Sequence, residues 1–187
     1  MIRIQKDLSV LRKPQTFEVV SIVARLKSEE PLNSSIDTDK VIMDKLARLD
    51  TCNKYLRQYL YTHQTSAVGI AAVQTKWLPS FRLKHMKIND IPMVAFWDLS
   101  KVKVMLNPRI LSHKGKGIND GEGCLSIPKK KYSVPRYSEV EVQWTNPTTL
   151  KLEQSTFFGY SAYKVQHEID HTNGIVICDK SITEGKQ

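Results

Sequence analysis

The sequence predicts an α+β fold: antiparallel strands around a late helix that carries a His-Glu-x-x-His motif, with a long helix near the N-terminus. Three patterns predict it. Ile42, Leu46, Leu49, Leu56 and Leu60 recur at helical steps. Between Met93 and Phe158, short apolar or alternating stretches are bounded by turn residues. From Tyr160 to Thr172 the pattern is helical again, and Asn173-Gly174 supplies a stop because either residue tolerates the left-handed conformation.

In chain order, residues 1–35 mix short apolar runs such as Phe17–Val23 with Pro14 and Pro31, which predicts an irregular or briefly extended opening segment. The long helix starts after Ser34 or Ser35, with Ser35, Asp37 or Asp39 as its cap. The small apolar stretch Ala67–Gln74 lets a backbone approach a ligand or another strand closely. Met93–Trp97 and Val102–Leu106 read as strands, and Glu139–Trp144 alternates with period two. Asn146-Pro147 turns the chain into a returning strand, Leu150–Phe158. After the late helix, Ile175–Cys178 is expected to rejoin the sheet. With no repeat, low-complexity tract or linker, residues 1–187 read as a single catalytic domain.

A composition of 41% hydrophobic and 25% charged residues excludes a disordered or fibrous chain. The 28 Lys and Arg against 19 Asp and Glu give a net charge of +9, which favours anionic partners, a ribosomal surface among them, and equally fits a merely soluble basic surface. No basic run, aromatic RNA-binding signature or finger spacing accompanies that charge, so sequence-specific nucleic-acid reading is not expected. The odd count of three cysteines, Cys52, Cys124 and Cys178, argues against a disulfide framework and for a reducing compartment. The first residues lack a signal-peptide core and no stretch reaches membrane-spanning length. The expectation is a cytoplasmic protein without membrane contact, whether the cytoplasm is bacterial, organellar or that of a phage-infected host.

His167 and His171 are four apart, so on a helix both project from one face and can grip a single metal ion. Glu168 beside them is placed to take a proton from water and return it to a leaving amine. Asp170 reads as a solvated or helix-cap carboxylate rather than a support for a ligand. A catalytic metal needs a third protein ligand, and the candidates are Cys52, Cys124, Cys178, His63, His85, His113 and scattered carboxylates. Cys124 stands apart because Gly123 and Pro128 shape a tight, extended backbone around it in Glu122–Pro128. By spacing alone, ligation and an inert buried thiol are equally good readings of Cys124.

Gly69-Ile-Ala-Ala-Val-Gln74, Glu122-Gly-Cys-Leu-Ser126 and Gln166-His-Glu-Ile-Asp-His171 resemble, in order and approximate spacing, the three signature motifs of peptide deformylases. Leu11-Arg-Lys-Pro14 is similar to that family's opening segment, so the resemblance runs from about residue 8 to about residue 180. It implies removal of the formyl group from the N-terminal formylmethionine of nascent polypeptides. Cys124, His167 and His171 would hold one divalent ion, iron(II) by the family's habit, although the donor set also suits zinc, nickel or cobalt. Glu168 would be the general base and then the general acid. The Gln74 side-chain amide and the Leu125 backbone N–H would stabilise the oxyanion; read alone, Gln74 is a polar residue closing an apolar strand and Leu125 is core.

The same resemblance implies a peptide laid as an added strand along Val68, Gly69, Ile70 and the backbone at Gly123. Tyr160, Tyr163 and Lys164 precede His167 by seven, four and three positions and are candidates to wall the methionine pocket. Glu122 and Arg136 correspond to an ion pair that would brace the Cys124 segment. A monomer is expected.

Departures from the family pattern are visible. Ala67-Val68-Gly69 stands where Gly-x-Gly is usual, and if residue 67 needs a positive φ, alanine costs about 1 kcal/mol relative to glycine. Lys129-Lys-Lys131 follows the cysteine motif and reads as a solvated loop, with steering of a peptide carboxylate or ribosomal RNA as the functional alternative. The length between Glu29 and Thr65 and the short tail after Cys178 resemble the subclass that ends in a strand. Two rivals remain on sequence grounds. One is a zinc peptidase cleaving internal amides, for which Glu184 is the sole later ligand; the other is a weak deformylase-like protein that binds ribosomes through its charge.

Overall fold

Period-two alternation through the middle of the chain builds an antiparallel sheet, and apolar spacing on either side of that stretch supplies helices to cover its faces. The structure is a computed structural model that describes residues 3–4, 6, 8–11, 18–19, 22, 37–76 and 88–185. Among these residues the helices are α1 (Leu8–Leu11), α2 (Asp37–Thr62), α3 (Gly159–Thr172) and α4 (Ile177–Lys180). The strands are β1 (Arg3–Ile4), β2 (Gly69–Ala71), β3 (Thr75–Lys76), β4 (Met93–Asp98), β5 (Lys101–Cys124), β6 (Ile127–Thr145), β7 (Leu152–Phe158) and β8 (Thr183–Gly185). The main sheet has the order β2-β4-β5-β6-β7, with β8 added to the other half of β6, and β1 pairs with β3 separately. Every one of these pairings is antiparallel.

Strand β4 shows how the layers form. Met93 and Ala95 pack in one apolar cluster with Ile42, Leu49, Leu56 and Leu60 of α2. Val94 and Phe96, pointing the other way, pack in a second cluster with Ala162, Val165 and Ile169 of α3. A strand covered on both faces reads as a continuous apolar run, which is what Met93–Phe96 is. Each fully buried leucine of α2 contributes roughly 1.5–3 kcal/mol to this arrangement.

Strands β5 and β6 form one long hairpin whose two-residue turn is Leu125-Ser126, with Cys124 opposite Ile127. Register shifts between Asn119 and Glu122 and between Glu122 and Cys124 disturb the ladder next to this tip. The cysteine motif is thus the end of a hairpin. Helix α3 stops where expected, with Gly174 at a φ of 76° after Asn173.

Three expectations change. Ile175–Cys178 does not rejoin the sheet: Ile177–Lys180 is a helical turn, because the Asp179 carboxylate accepts the Val176 N–H at 3.0 Å and folds the chain back. The strand comes later, where Thr183–Gly185 pairs with Lys131–Ser133. Lys129–Lys131 is exposed but belongs to β6 and not to a loop. In the opening segment, strand Arg3–Ile4 and helix Leu8–Leu11 are described, while Phe17, Pro14, Pro31, Ser34, Ser35 and His85 lie outside the described residues. No helix among the described residues is long and apolar enough to cross a membrane.

Candidate active site

Helix α3 is clamped before its catalytic-type residues begin. The Gln166 amide accepts the Tyr137 N–H at 2.9 Å and donates to the Tyr137 carbonyl at 2.7 Å, so a side chain of α3 pairs with the β6 backbone as a strand would. One residue later, His167 faces the sheet, and His171 follows one turn on. Their Nε2 atoms are 3.2 Å apart, and Cys124 Sγ is 3.4 Å from His171 Nε2. The three donor atoms lie within 4.8 Å of one another.

This geometry fits one metal ion. Bonds of about 2.1 Å to nitrogen and about 2.3 Å to sulfur at tetrahedral angles give edges of about 3.4–3.6 Å. The spacings of 3.2 and 3.4 Å match such edges. His171 Nδ1 is buried with no hydrogen-bond partner. Two imidazoles this close carry at most one positive charge between them. Burial opposes a charge on His167, yet the neighbouring Cys124 and Glu122 outweigh it and raise the ring well above its usual range. Burial and the His167 charge hold His171 well below that range.

Behind the donors lies a buried ion network. His167 Nδ1 is 2.7 Å from Glu122 Oε1, which orients the Nε2 lone pair toward Cys124. Arg136, 1% exposed, donates to Glu122 at 3.0 and 2.6 Å and to Asp170 at 2.5 Å. Asn119 donates to Glu122 at 2.8 Å, and Lys180 pairs with Asp170 at 2.8 Å. Burial alone would raise the Glu122 carboxyl, but hydrogen bonds and charge from His167 and Arg136 prevail and hold it at about 2. Asp170, expected to be solvated, is 9% exposed and joins this network because Arg136 needs a second acceptor in a site closed to water.

Glu168 is 3% exposed, and its Oε2 is buried without a partner. Burial pushes its carboxyl up to about 7, with Glu122 and Asp170 reinforcing and His167 and Arg136 opposing. The other oxygen, Oε1, lies 2.3 Å from the point where a Cβ on Gly69 would stand. Glycine at 69 therefore makes room for the carboxylate. Ala67 is not among the positive-φ residues, which outside glycine are Leu99, Asn107, Lys129 and Leu150 among the described residues. Its alanine side chain carries no left-handed strain.

Gln74 closes the 3-10 turn Ala72–Gln74 that follows β2. Its Oε1 accepts the Ala71 N–H at 2.8 Å, which aims Nε2 at Cys124 Sγ, 3.5 Å away, and at Ser126 Oγ, 3.2 Å away. A cleft of about 830 Å³ opens over these groups. Val68, Gly69, Gly123, Leu125, Tyr160 and Tyr163 all line it, as do Gln74, Glu122, Cys124, His167 and Glu168. Ile70 does not line it: its side chain is fully buried against α2, so only its backbone is available along β2. Tyr160 is 60% exposed and stands at the rim, whereas Tyr163 is half-buried. Sequence reasoning missed Asn119, Ser126 and Lys180: the partners of Ser126 and Lys180 lie on other elements, and Asn119 meets Glu122, three positions on, across a register shift that strand alternation does not foretell.

Comparison with known proteins gives a consistent picture. A family model described as polypeptide deformylase matches residues 29–187. The peptide deformylase of Desulfosudis oleivorans is 32% identical over 130 residues, a stretch covering 67% of this chain and 67% of that protein. That of Orientia tsutsugamushi (strain Boryong) is 28% identical over 149 residues, covering 75% and 81%. The chain spans about two thirds of the length of the curated relatives it first matches. A K3U-bound class I type b peptide deformylase from Acinetobacter baumannii superposes with a TM-score of 0.66 at 22% identity, over 96% of this chain and 98% of that one, and shares the fold. The family match takes in β2, the Cys124 hairpin and helix α3 together, and the chain belongs to the polypeptide deformylase family, whose members are hydrolases.

Proposed function

We propose that residues 1–187 form one catalytic unit that removes the formyl group from the N-terminal formylmethionine of nascent polypeptides and releases formate. The observation that carries this reading is the convergence of Cys124, His167 and His171 within 4.8 Å beside the buried Glu168 carboxyl. Cys124, His167 and His171 would hold one divalent ion, iron(II) by family resemblance, with zinc, nickel or cobalt compatible with the same donors. When bound, such an ion supplies Lewis-acid polarisation and lowers the pKa of coordinated water toward neutrality.

The chain's own groups supply the rest. A carboxyl near pH 7 exists in both forms at neutral pH, so Glu168 can take a proton from the attacking water and give it to the departing amine. Gln74 Nε2, oriented by the Ala71 N–H bonded to the amide oxygen, and the Leu125 N–H at the hairpin turn would donate to the oxygen of the formyl group as negative charge develops there. Among the described residues strand β2 is an edge of the sheet, and its second side would take an added peptide strand along Val68–Ile70. Gly123, Tyr160 and Tyr163 would shape the rest of the substrate site. Glu122 and Arg136 would fix the orientation of His167.

The test is formate release from formyl-Met-Ala by anaerobically iron(II)-loaded protein, run beside an internal peptide and a Glu168→Ala variant. Formate release that falls by at least about 100-fold in the variant is the expected result. Cleavage of the internal bond alone would overturn the reading in favour of a peptidase.

A further inference from the structure

The cleft mouth carries an uneven charge. Lys129, Lys130 and Lys131 line one wall, all exposed, and the exposed acid beside them is Asp120. The other acids of the cleft are not available to balance them. Glu122 is held by Arg136, Asn119 and His167, and Glu168 is buried at the floor. Lys164, opposite, directs its ammonium to the Trp97 carbonyl. Lys130 has a contact of its own, but among the described residues neither Lys129 nor Lys131 has an ion-pair partner.

Lys131 is also placed, not merely present. Its Nζ lies 3.0 Å from the point where a Cβ on Gly123 would stand, and its stem runs at 3.5 Å from the same point. The ammonium therefore lies across Gly123, next in sequence to Cys124 and within the cleft. Lys129 holds a φ of 66°, a conformation that glycine or asparagine would adopt more readily than lysine. A peptide added along β2 is extended, so successive side chains point to opposite sides about 3.4 Å apart. One of the two residues after the methionine then faces the lysine wall.

Building on the deformylase reading, we propose that Lys129 and Lys131 make this cleft select formylated peptides with acidic residues directly after the methionine. Both lysines are exposed, so each pairing is screened, and together they contribute about a 3–10-fold preference at low salt.

The experiment measures kcat/KM for formate release by the iron(II)-loaded full chain from three C-terminally amidated peptides, formyl-Met-Ala-Ala, formyl-Met-Glu-Glu and formyl-Met-Lys-Lys. It is run at about 20 mM and about 500 mM salt, since screening distinguishes charge selection from shape. The expected order is Glu-Glu above Ala-Ala above Lys-Lys at low salt, compressed at high salt. Lys129→Glu/Lys131→Glu inverts the order, and Lys101→Glu/Lys151→Glu, an equal change of charge at exposed positions outside the cleft, keeps it. An equal or inverted order in the wild type, or one that salt or the double variant leaves unchanged, overturns the proposal while formate release leaves the deformylase reading standing. No formate from any of the three peptides removes both. If the double variant does not fold, the wild-type salt dependence and the ratios for Lys131→Gln decide.

Discussion

His167 Nδ1 lies 2.7 Å from Glu122 Oε1, and that same oxygen accepts from Arg136 Nη2 at 2.6 Å. One carboxylate oxygen thus joins α3, β5 and β6 behind the donor cluster. The ring cannot rotate without breaking a hydrogen bond that is closed to water, so the direction of its Nε2 is set before any ion arrives.

Removing the charge from that carboxylate should loosen the metal site. Glu122→Gln keeps the shape but weakens the acceptor, and metal affinity is expected to fall about 10–100-fold. Competition against a chelator of known affinity measures it. An unchanged affinity would show that Glu122 serves only the Arg136 pairing.

The same residue predicts how the metal-free protein responds to acid. Glu122 titrates at about 2 in the fold against 4.5 ordinarily, so the unfolded chain takes up the proton first. Its contribution is fully present above about pH 4.5 and is lost as pH falls toward 2, a difference of roughly 3 kcal/mol. Urea unfolding of the chelated protein from about pH 6 to about pH 2 should show this loss, and Glu122→Gln should flatten its lower part. His171, held neutral by burial, adds a separate loss that begins at higher pH, and because Glu122 also holds up the His167 charge, the difference between wild type and variant reads the Glu122–His167 pair. Parallel curves would refute the assignment.

The sequence made legible what depends on near neighbours. Apolar steps located α2 and α3, a short apolar run located β4, alternation located β6, and the four-residue spacing of His167 and His171 marked the metal face. Cys124 could be named as a donor only through a family likeness, since nothing local separates a ligand thiol from a buried one. The Leu125-Ser126 turn carries no Asn-Gly or Gly signal, so the hairpin tip was invisible. Asp170 looked solvated because its partner, Arg136, comes from strand β6, and burial is a property of the assembled layers. Ile175–Cys178 had strand-forming residues, but the Asp179 carboxylate decided the local conformation.

Gly69→Ala is a more local test. Its new methyl would stand 2.3 Å from Glu168 Oε1 and 2.8 Å from that carboxyl carbon, so the carboxylate must move. Overpacking of this kind costs about 1–3 kcal/mol, and a displaced base should lower kcat by about 100-fold or more. Thermal unfolding and formate release read the two effects separately. Loss of stability with kcat intact would mean that the Glu168 position seen here is not the reactive one.

Gln74 offers the cleanest separation of chemistry from binding. Its Oε1 is fixed by the Ala71 N–H, and its Nε2 points between Cys124 Sγ and Ser126 Oγ, into the space where a formyl oxygen would acquire charge. Gln74→Ala should lower kcat by about 100–1,000-fold with metal content unchanged, because a donor is lost mainly where charge develops. Ser126→Ala removes only an acceptor that positions Nε2, and a loss of less than about tenfold is expected, since the Ala71 contact still orients the amide. If Gln74→Ala raised KM and left kcat alone, the amide would be holding the peptide in its ground state and the oxyanion role would pass to the Leu125 N–H.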